Sequence, residues 1–92
     1  MEIVHKQFES KGAFFAEKDQ KVAGEMTYSR AGDSLIIIDH TEVDPAFGGQ
    51  GVGKQMVLAA VDYARANDIK ILPLCPFAKA AFDKDPSIQD VL

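Results

Sequence analysis

Alternating apolar and polar residues in the first third of the chain predict two half-buried antiparallel strands. The first covers Gly12 to Glu17 and the second Val22 to Ser29, and residues 18–21 join them as a hairpin. In the second strand, side chains at the even positions 22 to 28 would share one face, and those at the odd positions the other. The preceding stretch from Ile3 to Phe8 has few apolar residues, so no strand is predicted there.

The middle of the chain predicts a third strand, which begins after a turn at residues 31–33. The apolar run from Leu35 to Ile38 is typical of a central strand with both faces covered. The strand is expected to continue to Val43, and its C-terminal half is unusually polar. Asp44 and Pro45 end it.

The chain from residue 52 onward predicts a helix, a strand and a shorter helix. The first helix covers Val52 to Asn67, and its inward stripe comprises Gly53, Met56, Val57, Ala60, Val61, Tyr63 and Ala64. A strand from Ile69 to Leu74 would run parallel to the preceding strand through a right-handed crossover. Pro73 has no N–H to donate, so strand pairing must fail there on one side. A short helix follows at about Phe77 to Lys84, and residues 87–92 form a tail.

These elements predict a mixed α+β fold. The sheet would be mainly antiparallel, with a parallel βαβ unit in the C-terminal half and a helix on each side. The 92 residues are expected to form a single domain, 1–92.

Charge and cysteine content narrow the possible partners. Ten Lys and Arg against 14 Asp and Glu give a net charge of −4, which argues against binding to nucleic acid or to an anionic membrane. Cys75 is the single cysteine, so no intramolecular disulfide can form, and with two histidines it lacks the spacing of a zinc site. No metal is expected. The absence of an apolar leader or spanning run favours a cytoplasmic location.

The strongest local signal is the glycine-rich stretch Gly48 to Lys54 between a strand end and a helix start. Glycines allow backbone N–H groups to approach a phosphate, and the helix N-terminus adds partial positive charge. The spacing superficially matches a nucleotide-binding P-loop, but Gln55 stands where a magnesium-binding Ser or Thr is needed. A dinucleotide fingerprint is excluded because its glycine spacing and a second βαβ half are both missing.

The order of strands, loop and helix resembles the GCN5-related N-acetyltransferase (GNAT) family. Within it the resemblance is to the small YidJ-like (N-acetyltransferase domain containing 1) branch, through the segments His40–Val43, Gly49–Gly53 and Cys75–Phe77. It extends over nearly the whole chain. The resemblance implies a GNAT-like fold and an enzyme that transfers the acetyl group of acetyl-CoA to an amine.

The resemblance also assigns a cofactor site. Backbone amides would hold the acetyl-CoA pyrophosphate, and the pantetheine arm would lie between the strand ends at Val43 and Cys75. The expected cofactor-binding residues are Val43, Gly49, Gln50, Gly51, Val52, Gly53 and Lys54.

Three side chains are candidates for the acetyl-transfer chemistry, namely His40, Glu42 and Cys75. Alternation places His40 and Glu42 on one strand face and Asp39, Thr41 and Val43 on the other. Either His40 or Glu42 could remove the amine proton, directly or through water, while the Val43 N–H polarises the thioester carbonyl. The structural alternative is a hydrogen-bonded histidine beside a solvated charge.

Cys75 could protonate the departing CoA thiolate, accept the acetyl group itself, or only pack in the core. Two other functions remain open, a non-catalytic acyl-CoA-binding sensor or interaction module and a nucleotide-binding protein. The sequence identifies no acceptor amine, and the protein could be a monomer or a homodimer.

Overall fold

Five strands lie side by side in chain order, and two α-helices pack on their sheet. The computed structural model describes residues 1–92. Its strands are β1 (Glu2–Phe8), β2 (Lys11–Lys18), β3 (Lys21–Arg30), β4 (Leu35–Val43) and β5 (Lys70–Pro73). Its helices are α1 (Val52–Asn67) and α2 (Pro76–Lys84), and 3₁₀ turns cover Pro45–Phe47 and Pro86–Val91.

The strand directions confirm the predicted mixed α+β class. The first three pairings in the sheet are antiparallel, and β4 pairs in parallel with β5 across the helix α1. The strand β1 was not predicted, because it is an edge strand whose side chains are mostly polar. Its pairing with β2 runs from Glu2 opposite Glu17 to Phe8 opposite Lys11.

A β-bulge in β3 changes the face of its first residues. Ala16 pairs with Gly24 and Glu17 pairs with Val22, so Ala23 is the extra residue. Val22 is therefore 53% exposed, whereas Ala23 is fully buried. The predicted strict alternation is confirmed from Gly24 onward and is wrong for Val22, since a bulge cannot be read from alternation alone.

Both helices lie on the same face of the sheet, which corrects the prediction of one helix on each side. Buried side chains of the inner sheet face, of α1 and of α2 belong to one core cluster, which includes Phe14, Met26, Ile38, Val57, Val61, Ala78 and Phe82. On the opposite face, Leu72 and Leu74 are exposed. The short helix α2 buries only Ala78 and Phe82, so packing beside α1 is enough to cover its apolar side.

The C-terminal residues are held against the two helices. Arg65 of α1 forms a bidentate pair with the Asp90 carboxylate, at 3.0 and 2.7 Å, and also donates to the Ser87 carbonyl. Ile88 and Val91 are buried as part of the core cluster. Neither α-helix combines the length and the apolar character that crossing a membrane demands.

Candidate acetyl-transfer site

The strands β4 and β5 separate halfway along β4. Their pairing extends only from Leu35 opposite Lys70 to Ile38 opposite Pro73. The N–H groups of Leu74 and Cys75 then both donate to the Ile38 carbonyl, at 3.0 and 3.1 Å, as the chain leaves the sheet. Pro73 thus stands at the last pair of the ladder, and beyond it β4 is paired only with β3. One edge of the β4 backbone is left open there.

A second β-bulge occurs in β4 at the same point. Tyr28 pairs with Ile38 and Thr27 pairs with His40, so Asp39 has no partner. Thr27 and Ser29 both donate to the Asp39 carboxylate on the outer sheet face. The prediction that Asp39 shares a face with Thr41 and Val43 is therefore wrong. Because one residue is inserted, the inward positions change from even numbers before the bulge to odd numbers after it.

His40 and Glu42 lie together on the outer face of β4, as alternation predicted for this pair. His40 Nε2 and Glu42 Oε2 are 3.7 Å apart, and the side chains are 62% and 76% exposed. Such an exposed pair contributes little to stability, about 0 to 1 kcal/mol. Glu25 of β3 is directly opposite Glu42, so this corner of the outer face is negatively charged.

Cys75 lies on the other side of the sheet, at the residue that caps the N-terminus of α2. The residue is 5% exposed, in the interior between β4 and α2. Burial opposes ionisation, but interactions with the Thr41 hydroxyl and with the Thr41, Phe77 and Ala78 backbones outweigh it, so the pKa of the Cys75 thiol is lowered. Cys75 is therefore not adjacent to the His40–Glu42 pair: His40 and Glu42 lie on the outer face of the sheet, and Cys75 lies on its helix side.

Val43 has its side chain against the core, and its N–H points toward the open edge of β4. The N–H of the next residue, Asp44, donates to Ala23 of β3 at 2.8 Å. Successive N–H groups of a strand point in opposite directions, so the Val43 N–H faces away from β3. This is the direction that polarising a carbonyl in the opening requires.

The glycine-rich loop is held open by two glycines in left-handed conformation. Gly49 has φ 80° and Gly51 has φ 71°, and no atom lies within 4 Å of an ideal Cβ at either position. Gly51 is the N-cap of α1, and the first intrahelical bond runs from the Gln55 N–H to the Gly51 carbonyl. The preceding helical amides, those of residues 52–54, therefore have no intrahelical acceptor.

Gln50 is at the tip of this loop, where its side chain accepts a hydrogen bond from Lys18 Nζ at 3.0 Å. Lys18 ends β2, so a cation from the hairpin stands beside the loop. Lys18 is not among the cofactor-binding residues that the sequence predicted. Nothing in its local sequence connects it with residue 50, which is far along the chain.

Gly53 differs from the other loop glycines because it packs against α2. An ideal Cβ on Gly53 would lie 2.2 Å from Cζ of Phe77. Gly24 of β3 also packs closely, against α1: an ideal Cβ on Gly24 would lie 2.8 Å from Cγ1 of Val52. Gly53 is thus required for helix packing, and the contact of its amide with a phosphate stays a prediction.

A groove of about 380 Å³ separates α1 from α2. Its walls are mostly apolar, with Leu58 and Phe77 among them, and Lys54, Lys84 and Asp85 supply the charged groups. Hydrogen bonds from Ser87, together with the Lys54 ammonium nearby, lower the pKa of Asp85. Because Lys54 lines the groove and also ends the glycine-rich stretch, the groove and the loop adjoin each other.

Comparison with known proteins places this architecture in a family. The family model described as GCN5-related N-acetyl-transferase matches residues 13–91. The chain belongs to this GCN5-related N-acetyltransferase family.

Individual relatives agree with this assignment. Protein NATD1 of Xenopus tropicalis is 30% identical over 64 residues, a match covering 70% of this chain and 59% of that protein. The chain thus spans less than two thirds of this curated relative. The solution structure of a GCN5-like protein from Staphylococcus aureus has a TM-score of 0.72 at 42% identity and covers 96% of this chain and 85% of its own.

A third similarity concerns the fold alone. A GNAT family acetyltransferase from Elizabethkingia anophelis, solved with acetyl-CoA bound, has a TM-score of 0.62 at 18% identity. The match covers 71% of this chain and 43% of that one.

Proposed function

We propose that this protein is an acetyl-CoA-dependent N-acetyltransferase that acts on an amine. One observation carries the proposal: the open edge of β4 beyond Ile38 leads directly to the glycine loop at the N-terminus of α1. An opening for a thioester and a set of free amides for a pyrophosphate therefore adjoin each other. Membership of the family supports the same activity.

The residues of the loop fit the phosphate part of acetyl-CoA. The amides of Gln50 to Lys54 would bind the pyrophosphate, and Gly49 and Gly51 leave the space around them clear. Lys18 beside Gln50 and Lys54 at the groove supply positive charge in a protein of net charge −4. The pantetheine arm would run between Val43 and Cys75, where its amides could pair with the unpaired edge of β4.

The transfer itself needs three actions on the reacting groups. The Val43 N–H would polarise the thioester carbonyl, and His40 or Glu42 would remove a proton from the amine. Cys75 would return a proton to the sulfur that leaves. Because His40 and Glu42 lie on the outer sheet face, the amine would arrive from that face, whereas CoA would be bound from the helix side.

Within the family, we assign the chain to the small branch that includes protein NATD1. The segments His40–Val43, Gly49–Gly53 and Cys75–Phe77 support this assignment, as does the 30% identity to the frog protein. No acceptor amine follows from the assignment.

Calorimetric titration with acetyl-CoA, followed by turnover assays on a panel of amines, tests the proposed function. We expect binding and the release of free CoA with at least one amine. Binding without turnover on any amine would instead support a non-catalytic acyl-CoA sensor, which the exposure of His40 and Glu42 would suit. Magnesium-dependent binding of ATP, with none of acetyl-CoA, would contradict both and favour a nucleotide-binding protein.

A further inference from the structure

Thr41 faces the interior of the proposed site only because of the bulge at Asp39. Before the bulge Ile36 and Ile38 point inward, and after it Thr41 and Val43 do. Without the inserted residue, His40 and Glu42 would point toward the helices and Thr41 toward the outer face. The bulge therefore brings a hydroxyl group to the side of the sheet where Cys75 lies.

The Thr41 hydroxyl has an unused capacity for hydrogen bonding. Its Oγ1 is the one buried side-chain polar atom of the protein without a hydrogen bond of normal geometry. Buried hydroxyls are nearly always paired, so an orphan of this kind calls for an explanation. The Cys75 thiol lies close enough to the hydroxyl to be influenced by it, although their contact falls short of a well-formed hydrogen bond.

Thr41 also stands at the open edge of β4. The residue is in the part of the strand that lacks a β5 partner, between the bulge and Val43. An atom that enters between β4 and β5 would meet the Thr41 hydroxyl and the Cys75 thiol together. No other side-chain hydroxyl is left without a partner in the interior.

We propose that the Thr41 hydroxyl relays a proton from the Cys75 thiol to the CoA sulfur during acetyl transfer. This inference rests on the proposed function and adds a catalytic residue to it. The hydroxyl would donate its hydrogen to the departing sulfur while accepting the thiol hydrogen of Cys75, so that both of its hydrogen-bonding roles are used at once.

The proposed step balances in atoms and charge. The amine nitrogen bonds to the acetyl carbon, the carbon–sulfur bond breaks, and its electron pair remains on the CoA sulfur. That sulfur takes the Thr41 hydroxyl proton, Thr41 takes the Cys75 proton, and Cys75 is left as a thiolate. Backbone groups of Phe77 and Ala78 stabilise this thiolate. The amine proton leaves to solvent through His40 or Glu42 on the outer face, and the Cys75 thiolate takes a proton from solvent once CoA has left, so the site returns to its starting state.

The test uses the fact that Cys75 is the single cysteine. Cysteine labelled with ¹³C at Cβ gives one NMR signal whose pH titration reports ionisation of the thiol. Thr41→Val keeps the shape but removes the hydroxyl, Thr41→Ser keeps the hydroxyl, and Ser29→Ala removes a hydroxyl from the outer face. We expect the thiol pKa to rise by about one pH unit in Thr41→Val and to stay within a few tenths in the other two variants.

Turnover provides the second measurement. General acid catalysis typically contributes about 10² to 10⁴-fold, so Thr41→Val should lower kcat by at least about tenfold while Thr41→Ser restores most of it. CoA affinity should change little, because the hydroxyl acts on the sulfur as it leaves. Thioesters with a more acidic leaving thiol should reduce the difference between Thr41→Val and the parent protein.

The outcomes separate this inference from the proposed function. If acetyl-CoA binds but Thr41→Val leaves both the Cys75 titration and kcat unchanged, the relay is wrong and the proposed function stands. If neither the parent protein nor any variant binds acetyl-CoA, the proposed function fails first. A folded Thr41→Ser that behaves like Thr41→Val would also contradict the relay, since serine retains the hydroxyl.

Discussion

The backbone of Gly53 and the ring of Phe77 are in contact where α1 meets α2. An ideal Cβ on Gly53 would be 2.2 Å from Cζ of the ring and 2.5 Å from Cε1. No real Cβ atom approaches an aromatic carbon so closely, so the helix spacing depends on the missing side chain. Because α1 begins at the glycine loop, this contact also fixes the position of the loop amides relative to α2.

Gly53→Ala should destabilise the protein although alanine is the better helix former. The propensity gain of about 0.5 to 1 kcal/mol is outweighed by overpacking, which costs about 1 to 3 kcal/mol. Urea unfolding measures the change, and a double-mutant cycle with Phe77→Ala isolates the contact. The double variant should be less destabilised than the sum of the single variants. Strict additivity would mean that the ring moves aside without cost.

Gly51→Val should weaken acetyl-CoA binding by about tenfold or more, about 1.4 kcal/mol. A side chain at φ 71° strains the backbone, and its bulk would occupy the open space beside the loop amides where the phosphate is proposed to bind. Gly32→Val is a matched control, because Gly32 also has positive φ, 77°, and open surroundings but lies in the β3–β4 turn. Calorimetry should show reduced affinity only for the first variant. Equal affinities would separate the loop from the cofactor site.

The sequence was sufficient for the elements whose signal is local. The helix Val52–Asn67 was predicted with its observed bounds, because its apolar stripe has helical spacing along sixteen residues. The glycine loop was predicted from its composition between a strand and a helix. The parallel pairing of β4 with β5 followed from the helix that connects them.

The features that were missed depend on contacts between distant segments. The bulges at Ala23 and Asp39 arise from the register with a neighbouring strand, and period-2 alternation cannot show an inserted residue. The face of the sheet on which α2 lies depends on its packing against α1, which the local sequence does not show. For the same reason, neither the interaction of Thr41 with Cys75 nor the packing of Phe77 against Gly53 could be predicted from the sequence.

His40→Gln and Glu42→Gln should lower turnover without lowering stability. Both side chains are exposed and their 3.7 Å contact lies at the surface, so the melting temperature should shift by no more than a few degrees. If the pair removes the amine proton, the acidic limb of the pH–rate profile should move or disappear in at least one variant. CoA affinity is the control and should be retained. Profiles identical to that of the parent protein would limit both residues to a structural role.

Cys75→Ala should slow acetyl transfer. We also expect that no acetylated form of the parent protein accumulates during the reaction. Intact-mass analysis after mixing the parent protein with acetyl-CoA alone should show no stoichiometric acetyl adduct. The loss of a buried side chain should also cost some stability, which thermal unfolding measures. An adduct on Cys75 that transfers to added amine would establish a covalent route, and full activity of the alanine variant would remove Cys75 from catalysis.

The folded protein should lose stability as the pH falls because of His5. His5 Nε2 is 2.5 Å from the Tyr28 hydroxyl, and the imidazole stacks on Phe14 at 4.2 Å between ring centroids. Burial lowers the pKa of His5 from its ordinary value of 6.5, so the unfolded chain binds the proton more readily than the folded chain. Stability from this source is therefore complete above about pH 6.5 and decreases as the pH falls below it.

Tyr28 does not contribute to this pH dependence, because burial and the neighbouring Tyr63 raise its pKa to about 12. His5→Gln keeps a hydrogen-bonding side chain but cannot titrate, and His40→Gln removes the exposed histidine as a control. Between about pH 7 and about pH 5, the melting temperature should fall less in His5→Gln than in the parent protein or in His40→Gln. If His5→Gln and the parent protein lose stability in parallel, the half-buried His5 is not the group that responds to acid.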